Sequence, residues 1–181
     1  VPDPVPAADP RWGILGLSMN TPRATAALAA QDGLDSGITR SQEGVSLRVI
    51  GAVRETLFAG ADPAALVRRL ADPRVHVVTL TVTEKGYCHD PATGALNFAH
   101  PDIVHDLAHP ESPRSAVGFV VAGLAAREAT GAGALNVVCC DNLPHNGRTL
   151  EGLVLAFAQR RDPALADWIA RHAAFPCTMV D

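Results

Sequence analysis

HVVTLTVTEKGY, residues 76–87, is the stretch that decides the fold. Its first seven residues are rich in β-branched side chains and apolar on both faces of an extended chain, as expected of a central strand covered by helices on each side. The polar turn TEKGY follows at once. A second run of the same kind, ALNVVCC at 134–140, leads into the turn DNLPHNG at 141–147. Between the two runs the pattern predicts a short helix over 101–109 and a longer one, rich in Ala, Val and Gly, over 115–130, stopped by the glycines at 131 and 133. Strand, crossover helix and second buried strand are the parts of a parallel sheet.

Reading outward keeps the same alternation. Upstream, Asp62 and Pro63 start a helix that Asp72 and Pro73 end, with Ala65, Leu66, Arg69 and Leu70 on one face. Before it, residues 33–40 and 45–53 flank SQEG, whose composition marks a hairpin turn between antiparallel strands. WGILGLS at 12–18 reads as a strand, and Thr21 with Pro22 as the N-cap and first residue of a helix through Ala30. Downstream, helices are expected over 148–159 and from Asp162–Pro163 through His172, before an extended FPCTMV. The chain is an α/β domain with a mainly parallel sheet flanked by helices. No repeat of 20 to 50 residues runs through it.

Composition bounds the rest. At 181 residues and 18.9 kDa the chain is one domain, or one domain and a piece of another. With 48% hydrophobic and 19% charged residues it can bury a large core, which excludes global disorder. A formal charge of −4 and 4% aromatics give neither the basic footprint nor the stacking platforms of a nucleic-acid binder. Its apolar stretches are broken within about ten residues, where a spanning helix needs roughly 20. Cys88, Cys139, Cys140 and Cys177 form no CxxC pair, and adjacent Cys139 and Cys140 point to opposite faces of a strand. They read as reduced thiols of a cytoplasmic protein. VPDPVPAADP, residues 1–10, has no charged-then-apolar pattern of a signal peptide and reads as a proline-rich opening segment, a linker into a fold already begun.

In open α/β sheets ligands gather beyond the carboxyl ends of the strands. LSMNTP, TEKGY and DNLPHNG stand there. No glycine-rich phosphate turn is present, since Gly13 and Gly16 belong to the first strand with none before it. In DNLPHNG, Asn142 is placed to donate its side-chain amide to a carbonyl or alkoxide oxygen, against the plainer reading of an Asx-type turn with Asn146 and Gly147 opening a helix. Cys140, His145 and Asp141 invite a thiol-hydrolase reading, which a cysteine ending a buried strand disfavours. His105 and His109 have chelating spacing on a helix but no third ligand, so no metal is expected. Tyr87, the only tyrosine, is either a hydroxyl donor or a packed aromatic.

The ordered strings WGILG, AAQDG, RVIGAV, LADPRVHVVTLTVTEKGYC, LAHPESPRSAVGF, CCDNLPHNGRTL and FPCTMVD resemble the polyol-specific long-chain dehydrogenase/reductase family of mannitol 2-dehydrogenases and fructuronate reductases, over almost the whole chain. The resemblance implies a Rossmann-like domain binding NAD or NADP, and metal-independent hydride exchange with a polyol, ketose or keto-sugar acid. It implies Asn142 in an oxyanion pocket and Asp181 near the substrate. It sets Thr83, Glu84, Gly86, Asp141 and Asn142 along the dinucleotide. Ser18, Asn20 and Arg23 stand where an acid would select NAD, so a 2′-phosphate is also accommodated.

Two family features have no match here. The glycine turn resembling GxGAFxRAH should precede this chain. The general-base lysine of a KxxxxNxxH helix should follow it, because the only lysine is Lys85 and the NxxH spacing of Asn97 and His100 carries Ala92 where that lysine belongs. The expectation is therefore residues 11–181 as a partial dinucleotide-binding domain, inactive alone, whose helical catalytic domain lies outside the chain. The competing expectation is a non-catalytic α/β binding or interaction module on the same scaffold.

Overall fold

The computed structural model describes residues 12–42 and 44–179, with Glu84 described through its backbone alone. They fall into two compact units, Val1–Asp62 and Pro63–Asp181.

The first unit pairs β1 (Ile14–Ser18) in parallel with β4 (Val53–Phe58), Leu15 opposite Glu55 through Ser18 opposite Phe58. Helix α1 (Arg23–Ala29) follows β1. Pro22, rather than Thr21, occupies its N-cap, where a residue without an N–H costs nothing. Ser18 Oγ donates to the Thr21 carbonyl and closes the approach to the helix. The expected hairpin forms as β2 (Asp35–Ser41) and β3 (Gly44–Ile50), with Asp35 opposite Ile50 and Ser41 opposite Gly44. Strand β4 is a difference from the sequence reading, which ran one strand through Val53. The chain changes partner at Gly51 and Ala52, where the Ala52 carbonyl accepts from Ile14 N. Gly33 makes room for β4: its φ is +77°, and a Cβ there would stand 2.3 Å from the Val53 carbonyl oxygen.

The second unit is built on an all-parallel sheet in the order β5 (Val77–Leu80), β6 (Leu135–Cys139), β7 (Ala173–Ala174). Helix α2 (Pro63–Ala71) leads in, with Leu66 and Leu70 buried as its face predicts. A 3₁₀ turn, Glu84–Tyr87, follows β5, and α3 (Pro101–Ala108) and α4 (Ala116–Thr130) make the crossover. Ser115 Oγ caps α4 by accepting from Gly118 N at 2.9 Å, and Gly131 ends it in the left-handed region. Helices α5 (Asn146–Arg161) and α6 (Pro163–His172) close the unit, α6 capped by Asp162 accepting from Ala164 N at 2.9 Å. Ile103, Val117, Val121, Leu124, Val137, Val154 and Ile169 form its sealed core. None of the described helices is long and apolar enough to cross a membrane.

Residues 76–82 give a shorter and less covered strand than their composition suggests. Only Val77–Leu80 is a strand; it pairs with β6 along one edge, and Val77 is 47% exposed. The amino ends of β5 and β6 are held by Arg127, which is 1% exposed. Its guanidinium donates to the carbonyls of Leu70, Asp72, Val75, Ala132, Gly133 and Ala134 at 2.9–3.3 Å. Arg74 pairs with Asp72 beside it and holds that carboxyl well below the usual range.

Candidate functional site

At the carboxyl ends of β5 and β6 two turns meet. After β5, Gly86 N donates to the Thr83 carbonyl at 2.7 Å and Cys88 N to the Lys85 carbonyl at 3.3 Å, which tightens TEKGY into one 3₁₀ turn. That turn drives the Tyr87 ring inward until it is 1% exposed. Its hydroxyl lies 2.9 Å from Cys139 Sγ and donates to Asp141 Oδ2. Cys140 N donates to the Leu80 carbonyl at 2.8 Å, continuing the ladder to the same level. The tips of neighbouring strands are thus fastened to each other through a buried phenol.

The second turn is shaped by Asp141 and Asn146. Leu143 N donates to the Asp141 carbonyl at 2.8 Å, and His145 adopts the left-handed conformation, φ 52°, to turn the chain into α5. This starts α5 at Asn146, two residues before the sequence reading placed it. Asn146 is buried, and its Nδ2 donates to the carbonyls of Cys139 at 3.1 Å and Asp141 at 3.0 Å and to Thr178 Oγ1 at 2.9 Å. Its Oδ1 accepts from Gly147 N at 2.8 Å and Thr178 N at 3.0 Å. Thr178 Oγ1 also donates to the Cys139 carbonyl at 2.6 Å. The segment after β7 is thereby bound to the tip of β6. Gly147 permits that passage, since a Cβ there would lie 2.4 Å from the Phe175 carbonyl oxygen.

Asn142 stands between these anchors with its side chain exposed and, among the described residues, engaged in no hydrogen bond. Thr83 is exposed on the facing turn, and Gly86 is half-buried in it. The structure therefore brings Thr83, Gly86, Asp141 and Asn142 to one end of one sheet, with the backbone of Glu84 alongside. Ser18, Asn20 and Arg23 end β1 and open α1 in the first unit, Asn20 and Arg23 both exposed. Asp181 lies outside the described residues.

Burial first, then the hydrogen bonds with Asp141 and Cys139, push the Tyr87 phenol far above its usual range. Burial likewise raises the Cys139 thiol. The wall is made of neutral donors and one carboxylate held by Tyr87. It suits hydrogen bonding to a ligand better than nucleophilic attack. Cys140 Sγ has the Val138 carbonyl at 4.0 Å as its contact, and His145 is exposed, which gives a thiol hydrolase no dyad. His105 and His109 engage Asp106 at 3.1 Å and Glu111 at 3.5 Å respectively. Asn97 and His100 fall in a loop and at a helix cap rather than on a catalytic helix. Two concavities of about 350 and 570 Å³ are lined by other residues; the second lies at Asp72–Pro73 and Gly131–Ala132, the amino ends of the strands.

Sequence reasoning missed two residues that organise the site. Tyr87 was weighed as a donor or a packed aromatic, and it is both. Asn146, which the sequence reading has opening the next helix, does so and is also the buried polar hub. The available signal was the pairing of a lone tyrosine with Asp141, each directly after a core strand.

A family model described as the mannitol dehydrogenase Rossmann domain matches residues 6–181. The D-mannonate oxidoreductase of Escherichia coli (strain K12) is 39% identical over 179 residues, 97% of this chain and 37% of the relative. The polyol:NADP oxidoreductase of Gluconobacter oxydans is 39% identical over 177 residues, 95% of this chain and 36% of the relative. Among solved structures, the Pseudomonas fluorescens mannitol 2-dehydrogenase in ternary complex with NAD and D-mannitol superposes with a TM-score of 0.85 at 40% identity, over 91% of this chain and 34% of that one. The fold is Rossmann-like, and the chain spans about a third of the length of these relatives.

Proposed function

The chain belongs to the mannitol dehydrogenase family through its Rossmann domain, and on that premise we propose that it is the nucleotide-binding part of an NAD(P)-dependent oxidoreductase of polyols or sugar acids. The single observation that carries this is the junction of Tyr87 with Asp141, which makes one wall of two turns and leaves the Asn142 amide facing outward, unspent. Polar turns at the carboxyl ends of parallel strands fit a dinucleotide there.

When bound, the nicotinamide supplies or accepts the hydride. The chain's own residues position and polarise. Asn142 donates its amide N–H to the reacting oxygen, and a neutral donor steadies developing alkoxide charge without a proton transfer of its own. The turn carrying Thr83, Glu84 and Gly86 borders the dinucleotide. Asp141, held by Tyr87, fixes the turn in which Asn142 stands. Thr178 is bound to the same strand end, and Asp181, which follows in the sequence, is the residue assigned to the substrate. Ser18, Asn20 and Arg23 receive the adenosine ribose; the neutral pair accepts NAD, and the guanidinium of Arg23 accepts the 2′-phosphate of NADP. Residues 11–181 are a partial domain, and a helical domain supplying the general base completes the pocket. Four free cysteines support a reducing, cytoplasmic setting.

The test is to express the chain with and without its flanking reading frame. Nicotinamide reduction is then followed with mannitol, arabinitol and mannonate, each with NAD and NADP. Turnover is expected from the extended protein alone, and turnover by the 181 residues would refute the account of the base. In the extended protein Asn142→Ala should lower kcat by about 100-fold while coenzyme KM stays nearly fixed. No turnover from the extended protein with any substrate would instead favour the non-catalytic module.

A further inference from the structure

Directly after Tyr87 the chain makes a loop that returns to its own start. Asp90 N donates to the Ala95 carbonyl at 2.8 Å, Gly94 N donates to the Asp90 carbonyl at 2.7 Å, and His89 bridges Leu96. Asn97 N then donates to the Cys88 carbonyl at 2.9 Å and His100 N to the Asn97 carbonyl at 3.0 Å. Backbone bonds alone therefore hold Cys88 beside the start of α3. There Cys88, His100 and Asp102 converge, with one ligand atom from each within 4.8 Å of the other two. Among the described residues no other three His, Cys, Asp or Glu side chains gather in this way.

We propose that Cys88, His100 and Asp102 form a zinc site that clasps the 88–100 loop. A thiolate, an imidazole and a carboxylate are a zinc donor set; the sulfur disfavours magnesium and calcium, which take oxygen ligands. A tetrahedral zinc needs ligand atoms about 3.5 Å apart, so the three must draw in by about 1 Å. The mobile partners can supply that movement. The His100 and Asp102 side chains are 34% and 43% exposed, whereas Cys88 is 5% exposed and fixed in the left-handed conformation at φ 54°. Among the described residues Cys88 Sγ has the Gly86 carbonyl, at 3.9 Å, as its hydrogen-bond contact. His100 Nδ1 accepts from Asp102 N at 3.2 Å, and ligation through that atom exchanges this cap bond for the metal. On binding, the Cys88 S–H bond breaks, its proton goes to water and an S–Zn bond forms; no electron moves. Water takes the fourth position. The ion is structural, fastening the residue next to Tyr87 to α3, and the proposal stands whether or not the oxidoreductase reading does.

Chelator-stripped chain is titrated with zinc by calorimetry and with cobalt by absorption, where a sulfur-to-cobalt charge-transfer band reports a bonded thiolate. One equivalent is expected, unaffected by excess magnesium. Cys88→Ser and His100→Gln should each weaken binding at least tenfold and remove the band, and Cys177→Ser, an exposed thiol, should leave both unchanged. His100→Gln guards against unfolding caused by loss of a buried thiol, because the ring it removes is half-exposed. No binding by chain with native circular dichroism, undiminished binding in folded His100→Gln, or loss of binding in Cys177→Ser would each overturn the site.

Discussion

Replacing Asn146 with Ala removes five hydrogen bonds at one buried point and tests whether the site is anchored as described. The change strips Gly147 N and Thr178 N of their partner, while the Asp141 carbonyl keeps Leu143 N at 2.8 Å and the Cys139 carbonyl keeps Thr178 Oγ1 at 2.6 Å. Two amides left wanting, at about 1–2 kcal/mol each, give a loss of about 2–4 kcal/mol. For a chain of this size, with a urea m-value of about 2 kcal/mol/M, the midpoint should fall by about 1–2 M at unchanged slope. Trp168, stacked on His172 in α6 of the same unit with ring centroids 4.5 Å apart, reports the transition by fluorescence. In a double-mutant cycle Asn146→Ala and Thr178→Val should couple by about 1–2 kcal/mol, since the Thr178 hydroxyl accepts from the Asn146 amide and both donate to the Cys139 carbonyl. A loss under about 1 kcal/mol, or no coupling, would refute the anchoring of the final segment through Asn146.

Other perturbations probe separate features. Tyr87, the only tyrosine, holds its proton in the fold because burial and Asp141 raise its phenol, so alkaline titration should show no tyrosinate until the chain unfolds. The unfolded chain loses that proton near pH 10 while the folded chain keeps it, so stability is full below that pH and falls as pH rises above it; a reversible tyrosinate band in folded protein near pH 10 would contradict this. Arg127→Met leaves carbonyls at both strand starts unpaired and should cost about 3–5 kcal/mol in denaturant unfolding; a neutral result would show that water replaces the guanidinium. Gly147→Ala drives a methyl to 2.4 Å from the Phe175 carbonyl oxygen and should cost at least about 2 kcal/mol, read as a fall in Tm, with an unchanged Tm as the contrary outcome.

Element type was readable wherever a local rule dominated. Asp162–Pro163 opened its helix where the sequence placed it, because a cap needs only its own side chain and the next two or three amides. The SQEG hairpin followed from turn chemistry. What failed depended on distant partners: nothing near Gly51 announces that the chain leaves β3 and joins β1 forty residues back. The residues of 76–82 look buried on both faces, but in the second unit, among the described residues, β5 pairs with β6 and Val77 is 47% exposed. At the site, DNLPHNG pointed correctly to a polar turn at the tip of a core strand. Which of its two asparagines is buried depended on Thr178, 32 residues beyond Asn146, and no local pattern encodes that meeting.

The account rests on the turns after β5 and β6 facing a nicotinamide coenzyme. Amide hydrogen exchange on the protein expressed with its flanking reading frame, with and without NADH or NADPH, tests this directly. Slowed exchange concentrated at 83–87 and 140–146 is the expected result. Coenzyme binding that leaves both turns exchanging at their free rate would contradict it.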